Sequence, residues 1–459
     1  MKVLLVNPPT GKKSVVRDMM GGVGFNGGQG VVLPPIDLAT LAATLESNGF
    51  RVGIYDANVA EPSPNPVRQY VEPQAADTII VNISLPSLAS DILFLKELKA
   101  KHGGKLIAKT GITFEPILQE VLRETSVDFC IVGECETSIH EILSGRESAG
   151  TVWMHGGRIV WGEKKLIPDL DTLPMPARHL LQNEKYIYSL LGPQSTSMST
   201  SRGCVFPCAY YCPYPLVQGR TYRARTPRHV MKEILQIVNR HKIQRILFRD
   251  AVFSLNADRT FEICELICQH RTTVEWWCET RINCLSQNLL RAMKKAGCRG
   301  INVGVETGDP KVLASQAKAG VTLDHLRTVR AMCNQLGIRL HFLLMVGLPG
   351  ETRKSIYQTY TLIREMKPDS IGVTYITPYP GTPLFFEARE KGWILTEDWS
   401  CYGSDQPVMK TDHLDIQDLI EARDMVCQGF EYVRIPNFKS KLMGSLLDRR
   451  FQKWSSQGT

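Results

Sequence analysis

Residues 202–214 read RGCVFPCAYYCPY, with Cys204, Cys208 and Cys212 evenly spaced in nine residues. Thiolates are soft metal ligands and nucleophiles, so this clustering points to metal or redox chemistry. Disulfides are not expected. The opening MKVLLVNPP reads as a strand rather than an export signal, and no apolar run approaches a membrane span. The expected compartment is the reducing cytoplasm, where disulfides are rare. A structural zinc site would want a fourth Cys or His at matching spacing, and no second CxxC or HxxxH pair lies nearby. Iron–sulfur clusters also take cysteine thiolates, and a three-thiolate cluster leaves one iron open to a substrate or cofactor. On residue types alone, packing and zinc with a remote ligand stand beside the cluster as readings. Cys130, Cys264, Cys268, Cys298 and Cys333 sit singly in apolar segments and read as small buried hydrophobes.

A loop of this kind must be held by a framework. The chain has 459 residues with 43% apolar and 22% charged side chains, enough for two or three folded domains. A net charge of +8 is mild at this length and does not mark a nucleic-acid binder. Over residues 1–150, apolar runs at 2–6, 50–57, 77–84, 105–111 and 127–133 alternate with helical patterns such as LATLAATLESNG (38–49). That alternation predicts a Rossmann-like, doubly wound parallel sheet. Ligands of such sheets lie at the carboxyl ends of the strands. Here those ends are NPPTG (7–11), the Gly-rich VGFNGGQG (23–30), SLPS (84–87), KTGIT (109–113) and GECET (133–137). None is the glycine fingerprint of a nicotinamide or flavin site.

Residues 151–194 change character, with a short hairpin near WMHGGRIVWGEKK and then a Pro-punctuated connector, and read as a linker. From 195 a second series begins, with strands expected at 195–201, 245–250, 274–280, 300–306, 340–347 and 370–377 and helices between them. Six such repeats over 195–395 predict a partial (β/α)6 barrel of the TIM type, whose chemistry sits at the carboxyl ends of its strands. The cysteine loop follows the first of these strands directly. Residues 396–459 lose the alternation and read as a small helical region.

RGCVFPCAYYCPYP resembles the cluster loop of radical S-adenosylmethionine enzymes, and PYPLVQGRTYRARTP resembles the subclass with an N-terminal cobalamin-binding domain. The likeness continues through LFRDAVFSLNADRTFEICELI (247–267), WWCETRINCLSQNLLRAMKKAGCRGINVGVETGD (276–309), MVGLPGET (345–352) and TPYPGTPLF (377–385). In the N-terminal half it extends to PPIDLATLAATLESNGFRVGIYDA (34–57), IVGECETSIHEIL (131–143) and PDLDTLPMPARHLL (168–181).

The resemblance implies a [4Fe–4S] cluster on Cys204, Cys208 and Cys212, whose open iron chelates S-adenosylmethionine. It implies reductive cleavage to a 5′-deoxyadenosyl radical. Tyr211 or Tyr210, Gly304, Glu306, Gly347, Leu348 and Gly350 are implied S-adenosylmethionine contacts, with Glu306 on the α-amino group. For cobalamin the implied contacts are Asn7, Pro8, Pro9, Ser84, Leu85, Ser87, Gly111, Gly133 and Glu134. Arg249 and Asp250, at the rim after the second barrel strand, are candidate catalytic residues. The chain departs from the family in its C-x3-C-x3-C spacing, one residue longer than the usual C-x3-C-x2-C. It also lacks DxHxxG, so no histidine of that motif would ligate cobalt, and KTGIT replaces the family's GG-containing loop.

The implied reaction is C-methylation of an unactivated carbon. The alternatives are a ring-forming or oxidative radical reaction of the anaerobic Mg-protoporphyrin ester cyclase kind, and a cobalamin-binding module with a degenerate cluster site. The implied partners are a small-molecule substrate (a lipid, isoprenoid, tetrapyrrole or natural-product intermediate) and a flavodoxin- or ferredoxin-type electron donor. Residues 430–459 mix basic and aromatic side chains, which suits either a peripheral membrane contact or a helix packed on the barrel.

Overall fold

The computed structural model describes every residue except 11–14, 18–24, 27–29, 73–74, 147–148, 317–319, 435–437 and 457–459. Most of the Gly-rich stretch at 23–30 therefore lies outside the described residues. The chain divides into two compact units. The first comprises Met1–Val205, Pro213–Ala251 and Thr272–Val274, and the second Phe206–Cys212, Val252–Arg271 and Glu275–Thr459.

In the first unit, β1 (Lys2–Asn7), β2 (Arg51–Asp56), β3 (Thr78–Ile83), β4 (Lys105–Thr110) and β5 (Phe129–Val132) lie where the apolar runs predict strands. They pair in parallel in the order β2-β1-β3-β4-β5. β3 is buried along its whole length, as a strand covered on both faces must be. The order reverses between β1 and β3, and a doubly wound sheet takes its ligand at the carboxyl ends beside such a switch. Helix α1 (Ile36–Ser47) starts directly after Pro34 and Pro35, and Gly49 beyond its end takes a φ of 81°. The hairpin of β6 (Thr151–His155) and β7 (Arg158–Trp161) pairs antiparallel with β5 and makes the sheet seven-stranded. The start of the 151–194 stretch, expected as a linker, is thus sheet edge.

The second series forms a six-stranded sheet in simple chain order: β8 (Ser195–Met198), β9 (Arg245–Phe248), β10 (Glu275–Thr280), β11 (Cys298–Glu306), β12 (Arg339–Val346) and β13 (Ser370–Tyr375). Pairing is parallel between β8 and β9 in the first unit and from β10 through β13 in the second. This is the partial (β/α)6 barrel predicted. In the second unit β12 alternates between buried and more open positions, whereas β10 and β11 carry runs of consecutive buried residues. Cys278, Ile301, Val303, Leu340, Phe342 and Leu344 are buried in the core, while Leu343, on the opposite face of β12, is 37% exposed.

The C-terminal region is helical, with α10 (Ile416–Arg434) and α11 (Phe438–Ser455) following the barrel. Phe451 is fully buried, its ring 4.7 Å from Tyr360 and 5.5 Å from Tyr357, both on α8 (Arg353–Met366). Trp454 is buried beneath the Arg353 guanidinium. These aromatics serve as packing, which is the second of the two readings of the tail. Side chains at 432–446 lie outside the described set. Among the described residues, no helix is long and apolar enough to cross a membrane.

Candidate active site

The cysteine loop is framed by residues that force its path. Gly203 has a φ of 83°, and a Cβ there would lie 2.0 Å from the Thr221 carbonyl oxygen, so only glycine fits. Cys204 is buried, and its N–H donates to the Gly219 carbonyl at 3.2 Å. Pro207–Tyr210 then forms a short helical turn. The N–H groups of Tyr211 and Cys212 both donate to the Cys208 carbonyl, at 3.2 and 3.1 Å. Cys208 and Cys212 therefore stand one helical turn apart on the same side of the chain, each half-buried. Among the described residues, no three His, Cys, Asp or Glu side chains gather as a single ion would require.

Tyr211 is half-buried in the second unit. Burial raises its pKa well above the ordinary tyrosine value, and Glu306, Cys208 and Cys212 nearby add to that rise. Glu306 ends β11 at a bulge, because the β11–β12 register slips between Gly304 and Glu306. Its φ is 65°, a left-handed conformation that costs a non-glycine residue energy. Strain of this kind persists where the surrounding structure imposes it, often at functional sites. The carboxylate is 7% exposed.

At the end of β12, Gly347 has a φ of 90°, and Gly350 has 83°. A Cβ on Gly347 would lie 2.9 Å from a Leu419 methyl, whereas one on Gly350 would meet open space. The Gly347 and Leu348 N–H groups both donate to Glu351 Oε2, at 2.8 and 3.1 Å. Burial pushes the Glu351 carboxyl up to about 7, against the pull of Gly347, Thr307 and Leu348. Glu351 was not singled out from the sequence, although it stands in the same GLPGE run.

The second unit's strands also bring polar side chains into one row across β10, β11, β12 and β13: Glu279, Asn302, His341 and Ser370. Trp277 Nε1 donates to Asn302 Oδ1 at 2.6 Å, and His341 Nδ1 shares a hydrogen bond with Ser370 Oγ at 2.7 Å. Two residues further along lie Gly304, Leu343 and Gly372, a row with one side chain between two glycines. Beside Gly372 the space is taken by the His341 ring, whose Nε2 would lie 3.1 Å from a Cβ there, and by a Leu343 methyl at 3.7 Å.

In the first unit, Asp250 is held by the turn after β8. It is fully buried, and its Oδ1 accepts from Thr200 N at 3.0 Å, Thr200 Oγ1 at 2.9 Å and Ser201 Oγ at 2.5 Å. It anchors the turn that leads into the cysteine loop. Arg249 donates its backbone N–H to Met198 O at 2.9 Å and lines a cleft with Asp37, Ser197, Ser199, Arg202 and His229.

The carboxyl edge of the N-terminal sheet is built from committed side chains. Arg17 donates to Asn7 Oδ1 at 3.0 Å, Pro8 O at 2.9 Å, Ser87 Oγ at 3.3 Å and Asp91 Oδ1 at 2.8 Å. Ser84 and Ser87 share a hydroxyl bond at 2.7 Å, and Ser87 donates to Asp91 at 2.6 Å. Glu134 receives Arg223 at both oxygens, each at 2.7 Å, and Ile167 N at 2.8 Å. Its neighbour Glu136 takes Arg202 at 2.7 Å. Beside these, Lys109 pairs with Asp37 at 2.6 Å. Burial opposes the Lys109 charge, yet Asp37, Cys135 and Glu136 hold its pKa above the ordinary lysine value.

Of the expected cobalamin contacts, Asn7, Ser84, Ser87 and Glu134 thus spend their side chains on the protein itself. Pro8 lends a carbonyl, Leu85 is fully buried and Gly133 takes a φ of 84°. The strand order fits a large ligand at the β1/β3 switch, and what this rim offers it is mainly backbone and apolar surface. Arg17, Lys109 and Glu351 escaped the sequence reading; the signal for Lys109 was a lysine inside a buried strand.

Residues 198–363 match the Radical SAM superfamily model. The chain is 27% identical to an uncharacterized methyltransferase of Pyrococcus horikoshii over 91% of this chain and 90% of that protein. It is 25% identical to the anaerobic magnesium-protoporphyrin IX monomethyl ester cyclase of Rubrivivax gelatinosus over 84% of this chain and 72% of that one. The radical S-adenosylmethionine methyltransferase TsrM from Kitasatospora setae, solved with cobalamin and a [4Fe–4S] cluster bound, superposes with a TM-score of 0.67 at 17% identity, covering 85% of this chain and 75% of that chain. With its cysteine loop at the end of the first strand of a parallel half-barrel, the chain carries, over residues 198–363, a domain of the radical SAM superfamily.

Proposed function

We propose that this protein is a radical S-adenosylmethionine enzyme that C-methylates an unactivated carbon of a small molecule. The observation that carries the reading is the strained, buried Glu306 at the bulge that ends β11, in the same unit as the turn that sets Cys208 and Cys212 one helical turn apart. Cys204, Cys208 and Cys212 would hold a [4Fe–4S] cluster, and the carboxyl rim of the N-terminal sheet would seat cobalamin. When bound, the cluster supplies the electron that opens S-adenosylmethionine, and cobalamin carries the methyl group.

The chain's own residues hold and orient. Glu306 offers a buried carboxylate to the α-amino group, a charge-assisted contact. Tyr211 presents a ring to the adenosine. The Gly347–Gly350 turn lets backbone approach a planar base, its shape set by Glu351. Leu343, 37% exposed on the face away from the core, would meet an apolar part of the substrate beside the polar row of Glu279, Asn302 and His341. Asp250 supports the loop from beneath and is not assigned to chemistry. An external flavodoxin- or ferredoxin-type protein would supply electrons. Membrane contact by the tail is not part of the proposal, since Phe451 and Trp454 are spent on α8.

The relatives named methyltransferase support methyl transfer, and the Rubrivivax cyclase supports a second, ring-forming reading. The test is anaerobic reconstitution with iron, sulfide and cobalamin, followed by turnover with methyl-labelled S-adenosylmethionine. Methylation predicts 5′-deoxyadenosine, S-adenosylhomocysteine and labelled product. 5′-Deoxyadenosine with an unlabelled product would establish the ring-forming alternative. Cobalamin binding with no cluster would reduce the chain to a binding module.

A further inference from the structure

The C-x3-C-x3-C spacing leaves two tyrosines for the one aromatic position beside the third thiol, and the structure separates them. Tyr211 lies within electrostatic reach of Glu306, Arg281 and the two thiols of Cys208 and Cys212. Tyr210 points elsewhere. Its hydroxyl donates to Glu387 Oε2 at 2.5 Å on α9 (Pro383–Glu390), the helix that follows the last barrel strand. The other Glu387 oxygen, Oε1, lies 2.9 Å from Lys391 Nζ, one helical turn on, which fixes the carboxylate's orientation. Both rings rest on the apolar cluster of Leu348, Ile376, Leu384, Ala388 and Trp393. Ahead of the turn, Phe206 is held under the Arg281 guanidinium, 3.9 Å from its centroid.

We propose that Tyr210 is the inserted residue of this loop and that its hydrogen bond to Glu387 is a positioning device, tying the Cys208–Cys212 turn to α9 in the conformation that ligates the cluster. Tyr211 keeps the aromatic place beside the third cysteine. The physical reason is that an extra residue in an irregular loop adds chain entropy, which the loop must offset with a new fixed point. A phenol to an ionised carboxylate is a strong choice, because charge-assisted hydrogen bonds outweigh neutral ones. The inference rests on the cluster reading above only for the ligating role; the anchoring itself is a property of the apoprotein.

The experiment has two arms, both on the full chain. In the apoprotein, alkylation of Cys208 and Cys212 by iodoacetamide is followed by mass spectrometry, with buried Cys264 as the internal control for folding. Tyr210→Phe and Glu387→Ala should each raise both rates about tenfold, the loss of one charged hydrogen bond. Glu387→Gln, which keeps an acceptor oxygen but loses the charge, should fall between wild type and Glu387→Ala, and the Tyr210→Phe/Glu387→Ala pair should add nothing to either single variant. In the reconstituted protein, Tyr210→Phe should hold less iron and sulfide and bleach faster in air, while Tyr211→Phe retains the cluster and weakens S-adenosylmethionine binding. Unchanged alkylation in Tyr210→Phe and Glu387→Ala, or additive effects in the double variant, would overturn the anchor. A wild-type protein that shows the alkylation pattern yet assembles no cluster would sink the proposed function and leave the anchor standing.

Discussion

The Glu351 carboxylate accepts the backbone N–H of Gly347 at 2.8 Å and so sets the turn at the end of β12. The same oxygen takes Leu348 N–H at 3.1 Å, so one side chain fixes two peptide planes in a turn expected to face adenosine. Burial raises its folded pKa from 4.5 to about 7. A raised pKa means the protonated form is favoured by folding, so this stabilising contribution is full below about pH 4.5 and is lost as pH rises through about 7. We expect Glu351→Gln to flatten that part of the unfolding free-energy profile by on the order of 3 kcal/mol. Chemical denaturation between pH 4 and 8 measures it; identical profiles for wild type and variant would refute the assignment.

Glu306 predicts a separation of stability from binding. Its left-handed φ costs roughly 1 kcal/mol, a strain that glycine relieves and alanine does not. Glu306→Gly should therefore be about 1 kcal/mol more stable than Glu306→Ala. Both should lose S-adenosylmethionine affinity alike, read by calorimetric titration of the reconstituted protein.

Arg202 and Glu136 form a buried pair at 2.7 Å, two residues before the first loop cysteine. Removing one partner strands the other charge, so Arg202→Met should cost about 3–5 kcal/mol. Arg202→Met with Glu136→Gln should recover part of that loss. Equal stability of the single and double variants in urea would argue against a buried charge as the cause.

Phe451 tests the docking of the tail. Its ring is fully buried against Tyr357 and Tyr360, so Phe451→Ala should cost about 3–5 kcal/mol. An aromatic kept for a lipid surface would leave thermal unfolding nearly unchanged.

Leu343 tests the face of β12 assigned to the substrate. Leu343→Trp enlarges an exposed side chain on the face away from the core and should lower product formation at least tenfold, while iron content and substrate-free cleavage of S-adenosylmethionine stay near wild type. A parallel fall in iron would show that the residue supports the fold instead.

The amino-acid sequence by itself determined the order and kind of the elements. Apolar periodicity of two and of three to four reports which face of a strand or helix leaves water, and that is a local property. It placed β1 to β5, β8 to β13 and the cysteine loop after β8, and a compact motif such as three thiols in nine residues is complete within one loop. Tertiary structure decided which polar side chains remain for chemistry. Glu134 reads as a rim residue until Arg223, 89 positions away, closes on it. Asp250 reads as a rim residue, and only the fold shows Thr200 and Ser201, from the turn after the neighbouring strand, donating to its Oδ1. Tyr210 and Tyr211 are indistinguishable in a string of letters, and only Glu387, 177 residues on, tells them apart. Hydrogen bonds of this kind depend on which strand ends and helices come to lie side by side, and no local pattern carries that information.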